Sequence, residues 1–125
     1  SRGPRACILV AGSPWVPLNS CYSIACRDNE DAAALATLFN SPLAGAWLDA
    51  VAEPARGGFR RYLGWTVARL PIPNDWARAR TILAPLARRG VAGEVVSEGE
   101  LLDAAIAAYR VRASAVRPLV EWTWR

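Results

Sequence analysis

The chain has 125 residues, 53% of them hydrophobic, and a formal net charge of +4. This length is typical of one domain with its own core, and no run approaches the roughly 20 apolar residues of a membrane-spanning helix. Histidine is absent and the three cysteines have no Cys-x-x-Cys spacing. The chain alone therefore has no Ser-His-Asp triad and no Cys/His zinc site.

The cysteines and arginines give weaker information about compartment and partner. Cys7, Cys21 and Cys26 are an odd number, which favours buried free thiols in a reducing compartment, so we expect a cytoplasmic protein. Every basic residue is an arginine, a side chain suited to phosphate and guanine edges, although a codon bias towards arginine explains the same composition. Because the chain has no methionine, we interpret it as a piece of a longer protein.

The first third of the chain predicts two strands and two helices. Apolar runs at residues 6–10 and 21–26 are the strand candidates. Asp28 or Asn29 can cap a helix that ends at Ser41, before Pro42, and its apolar face consists of Leu35, Leu38 and Phe39. Pro42 suits the first turn of a second helix, closed by Pro54, whose apolar positions are Leu43, Ala46, Trp47, Ala50 and Val51.

The second half predicts further helices. Asn74 or Asp75 can cap one helix, Pro85 is expected to kink or split it, and Gly90 is expected just past its end. Its apolar stripe consists of Trp76, Ala79, Leu83 and Leu86. A capping box formed by Ser97 and Glu100 opens the next helix. The residues of this helix that are expected to face the core are Leu101, Leu102, Ala105, Ile106 and Tyr109.

The last segment and the sheet complete the predicted fold. We expect Pro118 to break the final segment, and Trp122 and Trp124 to fold back onto the core. Residues 59–62, after the Gly57-Gly58 turn, add a strand to the two N-terminal ones. The expected fold is α+β: a small, mostly antiparallel sheet packed by four to five helices in a single domain.

The order of these segments resembles a known domain. An apolar strand is followed by Leu-x-x-Leu-Phe-Asn-Ser-Pro-Leu at residues 35–43, a Gly-Gly-aromatic-Arg turn at 57–60 and Leu-Pro-Ile-Pro at 70–73. This order is similar to the C-terminal target-recognition domain of adenine-specific DNA methyltransferases, of the Taq type and the fused restriction–modification type, to which type I specificity subunits are related. Residues 101–109 resemble the family's Leu-Asp-x-x-Val-x-x-Leu-Tyr-Gly-Leu ending, but Arg110 replaces its glycine, so the turn there is expected to be absent or altered.

The resemblance implies a domain that holds DNA and presents one sequence to a methylating neighbour. Residues 1–125, with a helical tail at 96–125, would be part of a larger S-adenosylmethionine-dependent adenine methyltransferase or restriction–modification enzyme. That family's cofactor pocket and Asn/Asp-Pro-Pro-aromatic motif belong to a catalytic half outside this sequence, so we expect no catalysis, cofactor or metal in this chain alone. The expected partners are double-stranded DNA and that N-terminal methyltransferase domain, with no membrane.

Residues 56–62, which we call the central stretch, are the expected DNA contact. The candidate DNA-binding residues are Arg56, Gly57, Gly58, Arg60, Arg61 and Tyr62. The two glycines allow the backbone to approach a groove closely, and Tyr62 or Phe59 can lie against a sugar or base. We expect Arg60 or Arg61 to contact bases and Arg56 to contact the backbone, because phosphate contacts give register whereas base contacts specify sequence.

Three alternatives remain open from the residues. The central stretch also fits a surface hairpin with solvated arginines. A protein-interaction or structural domain without DNA affinity would use the apolar excess and the six tryptophans to cover a partner. An enzyme in its own right would need Cys21 or Cys26 to act without histidine, with a thiol pKa well below its ordinary value.

Overall fold

The computed structural model describes residues 5–8, 24–51, 53–54, 60–61 and 67–123. Within these ranges the elements are α1 (Asn29–Asn40), α2 (Pro42–Val51), β1 (Glu53–Pro54), β2 (Arg60–Arg61), α3 (Trp76–Val91), α4 (Glu98–Tyr109) and α5 (Ala113–Thr123). The strands pair antiparallel, with Glu53 opposite Arg61 and Pro54 opposite Arg60. No helix in these ranges is long and apolar enough to cross a membrane.

The expected α+β fold is wrong, because the described part of the chain is helical. Residues 5–8 and 24–26 are not in strands, and the rest of both predicted N-terminal strands lies outside the described residues. The Asn40 side chain takes the place of a strand partner: its Oδ1 accepts from the Ala6 N–H at 2.8 Å and its Nδ2 donates to the Ala6 carbonyl at 2.9 Å. A ladder of two residues per strand has no face on which helices can pack.

The predicted helix starts are confirmed at three N-caps. Asp28 Oδ1 accepts from the Asp31 N–H at 2.8 Å, and Asp75 Oδ1 accepts from the Arg78 N–H at 3.1 Å. Ser97 caps α4 in a complete capping box with Glu100. Each cap satisfies a backbone donor that has no partner within its own helix, so short local patterns fix where these helices begin.

The predicted break at Pro118 and the predicted split at Pro85 are wrong, whereas a kink at Pro85 stays a prediction. Pro85 lies inside α3 and Pro118 lies inside α5, and neither ends its helix. A proline inside a helix removes one N–H, which leaves the carbonyl four residues earlier without that partner. Those earlier residues, Thr81 and Ser114, are exposed, so water can hydrogen-bond to the freed carbonyls.

The helix directions follow from side-chain contacts. Asp31 meets Trp76 and Arg80, and farther along Thr37 donates to the Leu83 carbonyl at 2.8 Å, so α1 and α3 run parallel. Arg78, near the start of α3, contacts Ala107 near the end of α4. Helices α3 and α4 are therefore antiparallel, and the start of α3 and the end of α4 lie together.

Small side chains dominate the buried core. One cluster joins α1, α3, Leu70 and α4 and includes the fully buried Leu38 and Leu83. A second cluster consists of Ala46, Leu102, Val116 and Val120, and it attaches α5 to α2 and α4. Alanine occupies most core positions, which lets the helix backbones approach closely and leaves the few leucines to fill the remaining volume.

Candidate nucleic-acid interface

The structure describes only part of the predicted DNA-contact stretch. Arg56, Gly57, Gly58 and Tyr62 lie outside the described residues. Arg60 and Arg61 form β2, so their backbones pair with β1, and they follow each other on one short strand. Whether these residues contact DNA therefore stays a prediction.

Arg78, Arg110 and Arg112 lie on elements that meet at one end of the helix bundle, and the segment that carries Arg69 is bonded to the same end. We call this surface, with Arg69, Arg78, Arg110 and Arg112, the basic end. The Arg78 Nη1 donates to the Ala107 carbonyl at 2.9 Å, which joins α3 to the last turn of α4. The Tyr109 hydroxyl donates to the Pro71 carbonyl and so brings the segment carrying Arg69 to the same place. Burial raises the pKa of Tyr109 to about 12, so this hydroxyl stays a neutral donor at physiological pH.

Arg110 occupies the turn between α4 and α5. Its φ is 57° and its ψ is 38°, which is the left-handed region that favours glycine. The arginine in place of glycine was expected to make this turn absent or altered, and a turn is present, with the Val111 N–H donating to the Ile106 carbonyl at 3.3 Å. The Arg110 Nη2 lies 3.7 Å from Asp75 Oδ2, and both side chains are at least half exposed.

The charge at the basic end is unbalanced. Arg69 and Arg112 are exposed and form no ion pair within the described part of the chain, and Asp75 is the carboxylate that faces Arg110. Seven described carboxylates, by contrast, are held by arginines: Asp28, Glu30, Asp31, Asp75, Glu94, Glu100 and Asp103. Positive charge is therefore left over on the surface, and the basic end carries a group of it.

Arg80 forms an ion-pair network on the opposite flank of α3. Its guanidinium lies 2.7 Å from Asp31, 3.1 Å from Glu30 and 3.3 Å from Asp28. Residues two positions apart on a helix are turned by about 200°, so Arg80 faces α1 whereas Arg78 faces α4. The carboxylates of α1 are thus neutralised within the fold and lie on a different flank from the Arg78 contact.

Asp31 is the centre of that network. Its carboxylate accepts from the Trp76 Nε1 at 2.9 Å, from Arg80 at 2.7 Å and from Arg27 at 2.9 Å. These hydrogen bonds lower the pKa of Asp31 from 3.8 to about 2, and the hydrogen bond from Trp76 has the largest effect. The network joins the start of α1 to the start of α3, so its role is to position helices.

An apolar groove of about 680 Å³ runs beside this network. Its apolar lining includes Leu35, Phe39, Leu70, Ile72 and Trp76, and Asp31 lies at its edge. Leu70 is buried and Val67 is half-buried. The polar groups at its edge bond to each other, so the groove offers apolar contact to a partner.

The described cysteines are free, as predicted, but they are not fully buried. Cys7 is exposed and Cys26 is half-buried, and both are free thiols, whereas Cys21 lies outside the described residues. Burial, followed by the nearby carboxylates of Asp31 and Asp28, raises the pKa of Cys26. A raised pKa lowers the thiolate fraction, so Cys26 has the opposite of the property that a catalytic thiol without histidine would need.

No family model matches this chain, and neither does any curated protein or solved structure. Conclusions about function therefore depend on the residues and on the geometry given above.

Sequence reasoning missed most of the basic end. Arg78, Arg110 and Arg112 are far from the central stretch in sequence, and helix packing brings them to the segment carrying Arg69. One sequence signal was available: Arg110 follows Tyr109 at the end of a helix, where glycine is the ordinary residue.

Proposed function

We propose that this chain is a DNA target-recognition domain that holds double-stranded DNA for an adenine-specific methyltransferase or restriction–modification enzyme. The observation that carries the proposal is the surplus of free, exposed arginine. Arg69 and Arg112 are exposed and form no ion pair in the described ranges, while most described carboxylates are already paired. The motif order from residue 35 to residue 109 supports the same proposal.

In this proposal the chain contributes affinity and register rather than chemistry. Exposed guanidiniums neutralise phosphates and release counterions, which makes binding depend steeply on salt. Arg60 or Arg61 contacts base edges, and S-adenosylmethionine and methyl transfer belong to an N-terminal catalytic domain of the parent protein. The helical fold removes the expected sheet from this proposal, so presentation of the arginines depends on helix ends and the β1–β2 ladder.

The first test removes the two arginines of β2. The double variant Arg60→Ala with Arg61→Ala is expected to weaken duplex binding and to reduce the slope of log affinity against log salt by about 1 for each phosphate that is no longer neutralised. The measurement is fluorescence anisotropy of a labelled mixed-sequence duplex over a salt series, with circular dichroism to verify the fold. If either arginine reads a base, the variant is also expected to prefer the parent enzyme's methylated site less strongly, once that site is mapped.

A matched double variant controls for net charge. Arg5→Ala with Arg88→Ala removes the same charge from exposed positions without an ion pair in the described part of the chain, and it is expected to leave the salt slope nearly unchanged. Equal decreases in affinity for both double variants would mean that net charge alone binds DNA, and that β2 is not a contact site.

The apolar groove favours a second candidate function, a protein-interaction domain. Ile24 and Ile72 at its rim are exposed, and apolar side chains line most of it. Salt-insensitive self-association or partner binding, without duplex affinity at moderate salt, would favour this candidate over DNA recognition.

A further inference from the structure

Two helices of this protein end in the same hydrogen-bond pattern with different residues at the critical position. After α3, the Gly93 N–H donates to the Gly90 carbonyl at 3.1 Å and the Glu94 N–H donates to the Arg89 carbonyl at 3.0 Å. Gly93 has a φ of 91° and replaces Gly90 as the glycine just past the helix end. These two bonds define a Schellman motif, whose positive φ is easiest for glycine.

After α4, the same motif has arginine in place of glycine. The Arg110 N–H donates to the Ala107 carbonyl and the Val111 N–H donates to the Ile106 carbonyl, both at 3.3 Å. With a φ of 57°, Arg110 is the non-glycine residue with positive φ in the described part of the chain. The β-carbon of an L residue crowds the following carbonyl in this conformation, so the backbone alone would favour glycine here.

The contacts of Arg110 within the fold do not account for the arginine. Its ion pair with Asp75 has a separation of 3.7 Å, and the side chains are 63% and 50% exposed. Ion pairs of that exposure contribute little to stability because water screens them. A positive charge near the α4 C-terminus also complements the helix dipole, but an arginine in the last turn of α4 itself would do the same without a positive φ.

The neighbours of Arg110 have the same charge. Arg112 lies two residues on, Arg78 reaches the α4 carbonyl of Ala107, and the Tyr109–Pro71 hydrogen bond brings in the segment of Arg69. Asp75 is the acidic group that faces this set, while Asp103 is held by Arg117 and the α1 carboxylates by Arg80. An unfavourable backbone conformation is thus retained at the residue that adds a guanidinium to an already basic surface, and such outliers cluster at functional positions.

We infer that the basic end is a phosphate-binding surface for the DNA backbone, in which Arg110 and Arg112 contact phosphates. This inference rests on the proposed function and adds a contact surface separate from the β2 arginines. Guanidiniums spread over a helix end and the following turn match the separated, sequence-independent charges of a phosphate backbone. Their contribution is affinity and register, while sequence selection remains with β2.

The test uses the turn itself to separate binding from folding. Arg110→Gly keeps the Schellman motif and relieves the positive φ, so its melting temperature is expected to rise by about 2–5 °C. The same variant is expected to bind a labelled mixed-sequence duplex more weakly, and its slope of log affinity against log salt is expected to be reduced by about 1. The double variant Arg110→Gly with Arg112→Ala is expected to reduce this slope by about 2. Arg88→Ala, an exposed arginine near the opposite end of α3, serves as the control and is expected to leave the slope unchanged.

Each other outcome overturns the inference in an identifiable way. A lower melting temperature for Arg110→Gly with an unchanged salt slope would assign Arg110 to the fold. The salt slope could also stay unchanged for Arg110→Gly with Arg112→Ala while Arg60→Ala with Arg61→Ala lowers affinity. That result would show that the basic end does not bind DNA and would leave the proposed function standing. Absence of duplex binding by the unaltered chain would overturn both. Arg112→Ala alone leaves the turn residue intact and repeats the test without any change at positive φ.

Discussion

Replacing Leu83 by alanine is expected to lower the free energy of unfolding by about 3 kcal/mol. Leu83 is 0% exposed at the contact between α1 and α3, and its carbonyl accepts a hydrogen bond from Thr37. The alanines around it, such as Ala34 and Ala79, have single methyl groups that cannot extend into the space that the leucine leaves. Urea denaturation followed by circular dichroism measures the decrease.

The matched control is Val95→Ala. Val95 lies between α3 and α4 and is 91% exposed, so its truncation is expected to change the free energy of unfolding by less than about 0.5 kcal/mol. If Leu83→Ala lowered the free energy of unfolding no more than this control, the description of Leu83 as buried between α1 and α3 would be contradicted.

Replacing Asp31 by asparagine is expected to destabilise the protein at neutral pH and to flatten its loss of stability in acid. In the folded protein the pKa of Asp31 is lowered from 3.8 to about 2, so the ionised carboxylate stabilises the fold fully above about pH 4. That contribution is lost as pH falls from about 4 to about 2, where the carboxylate becomes protonated. Asparagine can still accept from Trp76, but it lacks the charge that holds Arg80 and Arg27.

Thermal unfolding of both proteins between pH 2 and pH 7 checks this prediction. Asp103→Asn is the control, because Asp103 is exposed and has a single ion pair with Arg117 at 3.2 Å. Its removal is expected to have a small effect at every pH, as is usual for exposed ion pairs. An acid dependence of Asp31→Asn that matches the unaltered protein would show that the Asp31 network does not join α1 to α3.

Local signals were enough to predict where the first four helices begin. Asp28, Asp75 and Ser97 cap helices where the sequence indicates, because an N-cap depends on residues within one turn of each other. Pro42 opens α2 for the same local reason: its missing N–H needs no partner at a first helical position.

Contacts between distant residues were not predictable in this way. The apolar run at 6–10 has a strand-like composition, but Ala6 bonds to the Asn40 side chain, 34 residues away. Pro85 and Pro118 stay inside helices because tertiary packing of α3 and α5 outweighs one missing hydrogen bond each. The predicted sheet failed for a related reason, since strand composition says nothing about whether a partner strand exists.

The candidate site likewise has a part that the sequence predicted and a part that it did not. Arg60 and Arg61 were predicted from a contiguous motif, and their DNA contacts remain a prediction. The basic end was missed because Arg69, Arg78 and Arg110 come together through the α3–α4 contact and the Tyr109–Pro71 hydrogen bond. Only the arginine at a glycine position gave any sign of it in the sequence.

The most direct test of DNA recognition is the affinity of the unaltered chain for a labelled mixed-sequence duplex at several salt concentrations. The proposal predicts that log affinity falls linearly with log salt concentration, with a slope of about −0.9 for each phosphate neutralised. No duplex binding at low salt, or association that is insensitive to salt, would contradict it and favour a protein-interaction domain that uses the apolar groove.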